Sequence, residues 1–138
     1  MNFYIDSSVA LRVLRGQKDA WKEWGRWEKA YCSTLLRVEC RRFVDRTRLE
    51  NNWSDDDIAA AGTQLRKLER VLTKVRLSMA VMERASAPMP TIIKTLDAIH
   101  IASASLLRER LQPQLVFVTH DQQQAKAARA LGFDCAGT

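Results

Sequence analysis

The feature that most constrains this fold is an aspartate that directly follows an apolar segment at the start of the chain. The run NFYI is short, aromatic and β-branched, which is typical of a strand, and Asp6 with the two serines after it supplies the capping chemistry of a helix. The sequence predicts that this helix runs through VALRVL and ends at Gly16. A strand, an acid and a helix therefore form the first structural unit.

The same unit recurs near the other end of the chain. LVFVT is the clearest strand, His120 and Asp121 follow it, and QQQAKAARALGF predicts a helix closed by Gly132. Strands that alternate with helices predict an α/β domain with a mostly parallel sheet, and such sheets bind ligands at the carboxyl ends of their strands. Asp6 and Asp121 both follow strands, so we expect them at the same edge.

The first half of the chain also predicts two helices with one short strand between them. A helix is expected from Asp19 to the strand at residues 30–32, and Ser33 is expected to cap a helix over LLRVECRRFVDRTRLE. Glu39 lies in that second helix. Three tryptophans recur every third residue in the first one, and they predict either base stacking or, as is more common, packing or interface anchors: Trp21, Trp24 and Trp27.

The second half predicts three further helices. Ser54 and the acids after it begin an amphipathic helix, and a β-prone segment, TKVRL, leads to a short helix capped by Ser78. The turn PMP precedes TLDAIHIASASLL, a helix that is apolar on nearly every side and should therefore be central.

Length and composition favour one domain over residues 1–138 with one substantial core, since 46% of the residues are hydrophobic. Three cysteines without zinc-site spacing favour free thiols in a reducing compartment. The longest apolar segment is interrupted by Lys94, Asp97 and His100, and nothing at the N-terminus resembles a signal peptide. We therefore expect a cytoplasmic protein without a membrane partner.

The charge balance favours a polyanionic partner. The net charge is +6, and arginine outnumbers lysine by 15 to 7, which suits bidentate contact with phosphate. Several arginines share the helix of Glu39 and are candidates for binding RNA phosphates, with a solvated helix face as the alternative: Arg37, Arg41, Arg42, Arg46 and Arg48.

Four acids lie in apolar segments, where carboxylates are rarely buried without a partner: Asp6, Glu39, Asp97 and Asp121. Each has an ordinary alternative explanation. Asp6 and Asp121 could cap helices, Glu39 could pair with Arg42, and Asp97 could pair with Lys94. Together at one edge of a parallel sheet, however, four negative charges would be tolerable only with a cation. Ligands that are all oxygen select Mg²⁺ or Mn²⁺ over zinc.

Several segments resemble those of one known family: YIDSSVA, STLLRVECRR, LDAIHIASA, and VTHD followed by AARALGF. Essentially from end to end, the chain is similar to the PIN-domain ribonucleases, and specifically to the VapC toxins of toxin–antitoxin pairs. The resemblance implies a PIN-like α/β fold with a mostly parallel central sheet flanked by helices. It also implies metal-dependent hydrolysis of phosphodiester bonds in RNA, with structured RNA such as tRNA as the substrate class.

Carried over residue by residue, the resemblance implies a catalytic set of Asp6, Glu39, Asp97 and Asp121, with Ser7 and Thr119 as supporting hydroxyls. Asp6, Asp97 and Asp121 are expected to bind Mg²⁺ or Mn²⁺, and Glu39 to coordinate through water or to orient the nucleophile. Some members carry a further acid where this chain has glutamines at 122–124, so the number of ions, one or two, stays open. His100 and His120 are the residue type of a general base, and His120 could touch substrate. The family motif does not need His120, however, and we expect it at the surface. The family further implies a homodimer and a small antitoxin whose extended segment blocks the acidic site.

Two rival functions remain to be weighed. A receiver-like phosphoacceptor domain would need paired acids after the first strand and a lysine after the last, and the sequence has neither. A non-catalytic basic module that binds nucleic acid would explain the charge but not the four acids in apolar segments. Metal dependence separates that module from a nuclease.

Overall fold

The computed structural model describes residues 1–111 and 114–138. Its strands are β1 (Asn2–Ile5), β2 (Lys29–Ser33), β3 (Thr73–Val75), β4 (Leu115–Val118) and β5 (Asp134–Ala136). Its helices are α1 (Ser7–Leu14), α2 (Leu35–Glu50), α3 (Asp55–Arg70), α4 (Met79–Ser86), α5 (Thr95–Leu111) and α6 (Gln122–Ala130). In these two ranges, no helix is long and apolar enough to cross a membrane.

The strands form one five-stranded sheet in the order β3-β2-β1-β4-β5, and all neighbouring pairs are parallel. This arrangement confirms the predicted α/β class with its parallel sheet flanked by helices. The chain runs outward from β1 to β3 and then returns to place β4 on the other side of β1. Such a reversal of strand order opens a crevice at the carboxyl ends of the two strands beside it, here β1 and β4.

Side chains of β1 alternate between the two faces of the sheet, and each face carries a core. Phe3 and Ile5 belong to one hydrophobic cluster together with Val9 and Leu36 of the helices α1 and α2. Tyr4 belongs to the other cluster, where it stacks on Phe117 with ring centroids 5.4 Å apart. Each fully buried apolar side chain of this size contributes about 1.5 to 3 kcal/mol relative to an exposed one. The two clusters fix β1, and with it the residue that follows, Asp6.

Helix α5 is as central as its composition predicts. Residues 98–105 are all buried, because the helix packs on the sheet and is covered by α4 and α6. A helix with no polar face must bury whatever polar side chains it carries, and those need partners.

The helix predicted from Asp19 is wrong. The segment between α1 and β2 consists of turns, and Gly25 in its middle has a φ of 85°, a left-handed conformation that interrupts a helix. The tryptophans pack instead of projecting from a helix. Trp21 meets Phe3 edge-on at 5.1 Å and stacks on Trp27, which Trp24 contacts edge-on. Their partly buried rings extend the core cluster of Phe3, which agrees with the packing interpretation.

Strand β5 has no counterpart among the predicted elements. It is only three residues long, pairs with β4, and contains no strongly apolar alternation.

The predicted caps are better reproduced. Ser54 forms a capping box with Asp57, and the Ser78 side chain accepts from the backbone of Val81. At α2 the capping position is Thr34, while the Ser33 hydroxyl accepts from the Leu35 amide at 3.0 Å.

Candidate active site

Asp6 lies at the carboxyl end of the central strand. Its amide continues the ladder of β1 by donating to the carbonyl of Val118 at 2.9 Å. Its Oδ2 caps α1 by accepting from the Ser8 amide at 3.1 Å and the Ser8 hydroxyl at 2.6 Å. The capping role weighed from the sequence is therefore present. Yet the residue is only 4% exposed and stands in the crevice beside β4, so capping is not the whole of its environment.

Thr119, Asp121 and Gln124 form the second side of this crevice. The Thr119 hydroxyl accepts from the Asp121 amide at 3.0 Å and donates to Gln124 Oε1 at 2.6 Å. Gln124 is fully buried, and its Nε2 donates to Asp6 Oδ1 at 3.2 Å and lies 3.4 Å from the carbonyl oxygen of Asp97. Asp121 caps α6 by accepting from the Gln124 amide at 3.0 Å. Gln124 thus joins the ends of β1, β4 and α5.

Glu39 reaches the crevice from α2. Its Oε1 accepts from the Ser7 hydroxyl at 2.7 Å and lies 2.7 Å from Nε2 of His100. The same Nε2 lies 3.7 Å from Asp6 Oδ1, and Nδ1 lies 3.0 Å from the Tyr4 hydroxyl. Glu39 makes no ion pair with Arg42 within the two described ranges. The structure therefore brings Ser7, Glu39 and Asp6 together through an imidazole.

Asp97 stands in the first turn of α5, partly exposed. The pKa of this carboxyl is raised from 3.8 to about 6. Burial is the largest cause, the negative charges of Asp6, Asp121 and Glu39 add to it, and His100 partly offsets them. In the described part of the chain, Lys94 forms no ion pair with it. Four carboxylates from four separate elements thus share one electrostatic environment.

The pKa values of His100 and Tyr4 are both raised in this environment. Burial lowers the pKa of His100, but the charge of Asp6, the hydrogen bond to Glu39 and the remaining negative charges outweigh it and raise the pKa above its ordinary value. Burial raises the pKa of the Tyr4 hydroxyl well above its ordinary value, so Tyr4 keeps its proton throughout the neutral range.

The donor set fits a hard divalent cation by its chemistry and its charge. Its oxygens come from carboxylates and hydroxyls, and the mutual repulsion that raises the pKa of Asp97 is what a cation would relieve. Among residues 1–111 and 114–138, no three His, Cys, Asp or Glu side chains converge closely enough, in the rotamers seen, to enclose an ion. Asp6 already accepts hydrogen bonds from Ser8 and Gln124 on its two oxygens.

The arginines of α2 are divided between ion pairs and solvent. Arg41 pairs with Glu69 of α3, and Arg42 pairs with Asp45 at 2.9 Å. Arg48 also pairs with Asp45, whereas Arg37 is exposed. Exposed pairs contribute at most about 1 kcal/mol, so that of Arg42 could be exchanged for phosphate at little cost.

Three residues of the hydrogen-bond network around the predicted acids lie outside the set of site residues predicted from the sequence: Tyr4, His100 and Gln124. A usable signal existed for His100, because it lies one helical turn from Asp97 on a helix without a polar face. His120, predicted at the surface, is partly buried. Its Nδ1 contacts the carbonyl of Gly137 at 2.6 Å, and its buried Nε2 has no hydrogen-bond partner in the part of the chain that the structure describes.

A parallel α/β sheet with clustered carboxylates at its carboxyl edge defines the class of this domain. The chain belongs to the PIN domain family, which matches residues 3–130. It is 28% identical over 137 residues to Ribonuclease VapC47 of Mycobacterium tuberculosis (strain CDC 1551 / Oshkosh), covering 94% of this chain and 92% of that protein.

Several solved structures share the fold. VapBC2 from Rickettsia felis, bound to a promoter DNA fragment, matches with a TM-score of 0.68 and 12% identity over 99% of this chain and 98% of that one. FitAcB from Neisseria gonorrhoeae matches with a TM-score of 0.67 and 15% identity over 96% and 95%. A toxin–antitoxin complex from Klebsiella pneumoniae matches with a TM-score of 0.63 and 17% identity over 88% of each chain.

Proposed function

We propose that this protein is a metal-dependent endoribonuclease that hydrolyses phosphodiester bonds of RNA and acts as the toxin of a toxin–antitoxin pair. The observation that carries the proposal is that four carboxylates border the crevice beside β1 and β4: Asp6, Glu39, Asp97 and Asp121. Gln124 contacts Asp6, Asp121 and the backbone of Asp97, and His100 lies between Asp6 and Glu39. Membership of the PIN domain family and the similarity to a protein named Ribonuclease VapC47 support it.

In this proposal Asp6, Asp97 and Asp121 hold Mg²⁺ or Mn²⁺, and the fourth acid, Glu39, has a different role. A bound divalent cation supplies positive charge that offsets the charge developing on the phosphate and favours ionisation of water at neutral pH. Glu39 orients the attacking water as a hydrogen-bond acceptor. Ser7 holds Glu39 by donating to its Oε1, and Thr119 supports Asp121 by accepting from its amide.

The direct test is cleavage of structured RNA, such as tRNA, by the purified chain with Mg²⁺, with Mn²⁺ and with EDTA. We expect cleavage with either cation and none with EDTA. Asp6→Asn should abolish it, because an asparagine still caps α1 but removes one negative charge from the crevice. Glu109→Gln, which removes an equal charge from an exposed pair with Arg84, is the matched control and should cleave normally.

Undiminished cleavage in EDTA, with contaminating nuclease excluded, would contradict the metal mechanism. Binding of RNA without cleavage under any of these conditions would instead favour the basic nucleic-acid-binding module.

The toxin role predicts two protein partners, a second copy of the chain and a small antitoxin, and a cytoplasmic site of action where the RNA is. The complexes that share this fold support the antitoxin. Induced expression should arrest growth, Asp6→Asn should not, and co-expression of the protein encoded by a small neighbouring reading frame should relieve the arrest. The mass of the purified chain in solution tests the homodimer.

A further inference from the structure

We propose that His100 is a positioning residue that holds Glu39 in its working orientation, with Tyr4 selecting the imidazole tautomer that this requires. The inference rests on the proposed nuclease function and extends it to two residues outside the set of four acids. It starts from a chain of polar contacts that runs from Tyr4 through His100 to Glu39.

Burial makes these contacts obligatory. The side chain of His100 is 1% exposed and Tyr4 is fully buried, so their polar atoms must satisfy one another instead of water. Nδ1 has the Tyr4 hydroxyl at 3.0 Å, and Nε2 has Glu39 Oε1 at 2.7 Å, with the Ser7 hydroxyl at 3.1 Å. Nδ1 therefore contacts Tyr4, whereas Nε2 contacts Glu39 and Ser7.

The direction of each hydrogen bond follows from the groups involved. A carboxylate can only accept, so Nε2–H donates to Glu39. A tyrosine hydroxyl can donate, so the O–H of Tyr4 donates a hydrogen bond to Nδ1 of the neutral ring. When the ring is cationic, Nδ1–H donates to the tyrosine oxygen, but Nε2–H still donates to Glu39. The contact that orients Glu39 is the same in both charge states.

These contacts fix Oε1 of Glu39 and leave Oε2 to accept a hydrogen bond from the attacking water. Oε1 receives donors from two directions, Ser7 at the start of α1 and His100 on α5. Oε2 has no hydrogen bond within the described ranges. A glutamate has three rotatable side-chain bonds, and two donors on one oxygen select a single arrangement of them. Without His100, Ser7 alone would hold Glu39.

Substitutions that keep different parts of the imidazole test this role. The amide nitrogen of His100→Gln can reach the position of Nε2 and donate to Glu39, whereas that of His100→Asn reaches only the position of Nδ1, and His100→Leu offers no donor. We expect His100→Leu and His100→Asn to lower kcat for RNA cleavage by about 10- to 100-fold, as is typical when partners of metal-site ligands are lost. His100→Gln should recover most of that loss.

Two control variants separate positioning from stability. Ile101→Val removes one methyl group from the next residue of α5, which is fully buried, and should lower the melting temperature without lowering kcat. Tyr31→Phe removes the hydroxyl of a mostly buried tyrosine on β2 and serves as the control for Tyr4→Phe. Equal kcat for the Gln and Asn variants, or losses that merely follow melting temperature, would overturn the positioning role.

A measurement without substrate or metal tests the tautomer directly. In the metal-free protein, at a pH above the pKa of the ring, the ¹⁵N resonances of His100 should show a proton on Nε2 and none on Nδ1. Tyr4→Phe should introduce the other tautomer, and Tyr31→Phe should not. A predominant Nδ1–H form in the parent would overturn the proposal. A parent that does not cleave RNA at all would overturn the proposed function and the positioning role with it, whereas an active parent with unaffected variants would overturn only the latter.

Discussion

At the scale of single residues, Asp97 shows most clearly how the site is built. It is an ordinary first-turn acid of a helix, yet its pKa is raised to about 6 because burial and the charges of Asp6 and Asp121 oppose its ionisation. Carboxylates with a raised pKa of this kind are common at functional sites, where side chains suited to activity often lower the stability of the fold.

The raised pKa of Asp97 predicts how stability depends on pH in the metal-free protein. The folded state holds this proton more tightly than the unfolded chain, so stability should fall as the pH rises from 3.8 through about 6 and stay low above that. Asp97→Asn should flatten this dependence and melt higher than the parent above pH 6. Thermal melts in EDTA across the pH range measure both effects.

Asp45→Asn is the control with the opposite sign, because the hydrogen bond from Arg48 lowers the pKa of Asp45 and its contribution is lost in acid. If Asp97→Asn melts lower than the parent in EDTA and keeps the full pH dependence, Asp97 is a structural capping or ion-pair residue.

At the scale of elements, α2 carries both Glu39 and all the arginines proposed to bind RNA. Arg41 is held by Glu69 of α3, so it also ties the two helices together. Arg37 and Arg42 are exposed, and Arg42 shares only an exposed pair with Asp45. The helix therefore separates into a face that contacts α3 and a face that is free to meet phosphate.

This division predicts the salt dependence of RNA binding. Arg37→Ala combined with Arg42→Ala should weaken binding and flatten the plot of log affinity against log salt, by about 0.7 to 0.9 for each lost phosphate contact. Arg41→Ala should instead lower the melting temperature, because it leaves Glu69 without its partner. Arg76→Ala combined with Arg84→Ala removes two charges outside α2 and controls for net charge. An unchanged slope in the double variant would return α2 to a solvated helix face.

The elements also show what a single sequence can predict. The acids were found because each interrupts or ends an apolar segment, and β4 and α5 because their apolar character is continuous. The segment around Trp21 was mistaken for a helix because spacing alone does not show that its rings pack on Phe3. The partners of Tyr4, His100 and Gln124 could not be predicted, since they depend on how α5 and α6 pack across the sheet.

At the scale of the whole molecule, the crevice between β1 and β4 couples binding of a cation to folding. A cation that binds only the folded chain stabilises it by RT ln(1 + [L]/Kd), which is about 1.4 kcal/mol at ten times Kd. The melting temperature should therefore rise by a few degrees in saturating Mg²⁺. Asp6→Asn and Asp97→Asn should lose most of this rise.

Sodium chloride at the same ionic strength is the control for that measurement, because salt screens repulsion among carboxylates without binding a defined site. An equal rise with sodium chloride would contradict a specific divalent site.

The strand order also determines when, during synthesis of the chain, the carboxylates at the ends of β1 and β4 can come together. β1 is the first strand of the chain but the middle strand of the sheet, and it pairs with β4 at residues 115–118. Ribosomes deliver chains from the N-terminus at about 5 to 20 residues per second, so on the order of ten seconds separate the synthesis of Asp6 from that of Gln124. Throughout that interval Asp6 has neither β4 nor α6 beside it. Until β4 and α6 have been made, a nascent chain therefore cannot bring these carboxylates together beside the RNA of the ribosome that is making it.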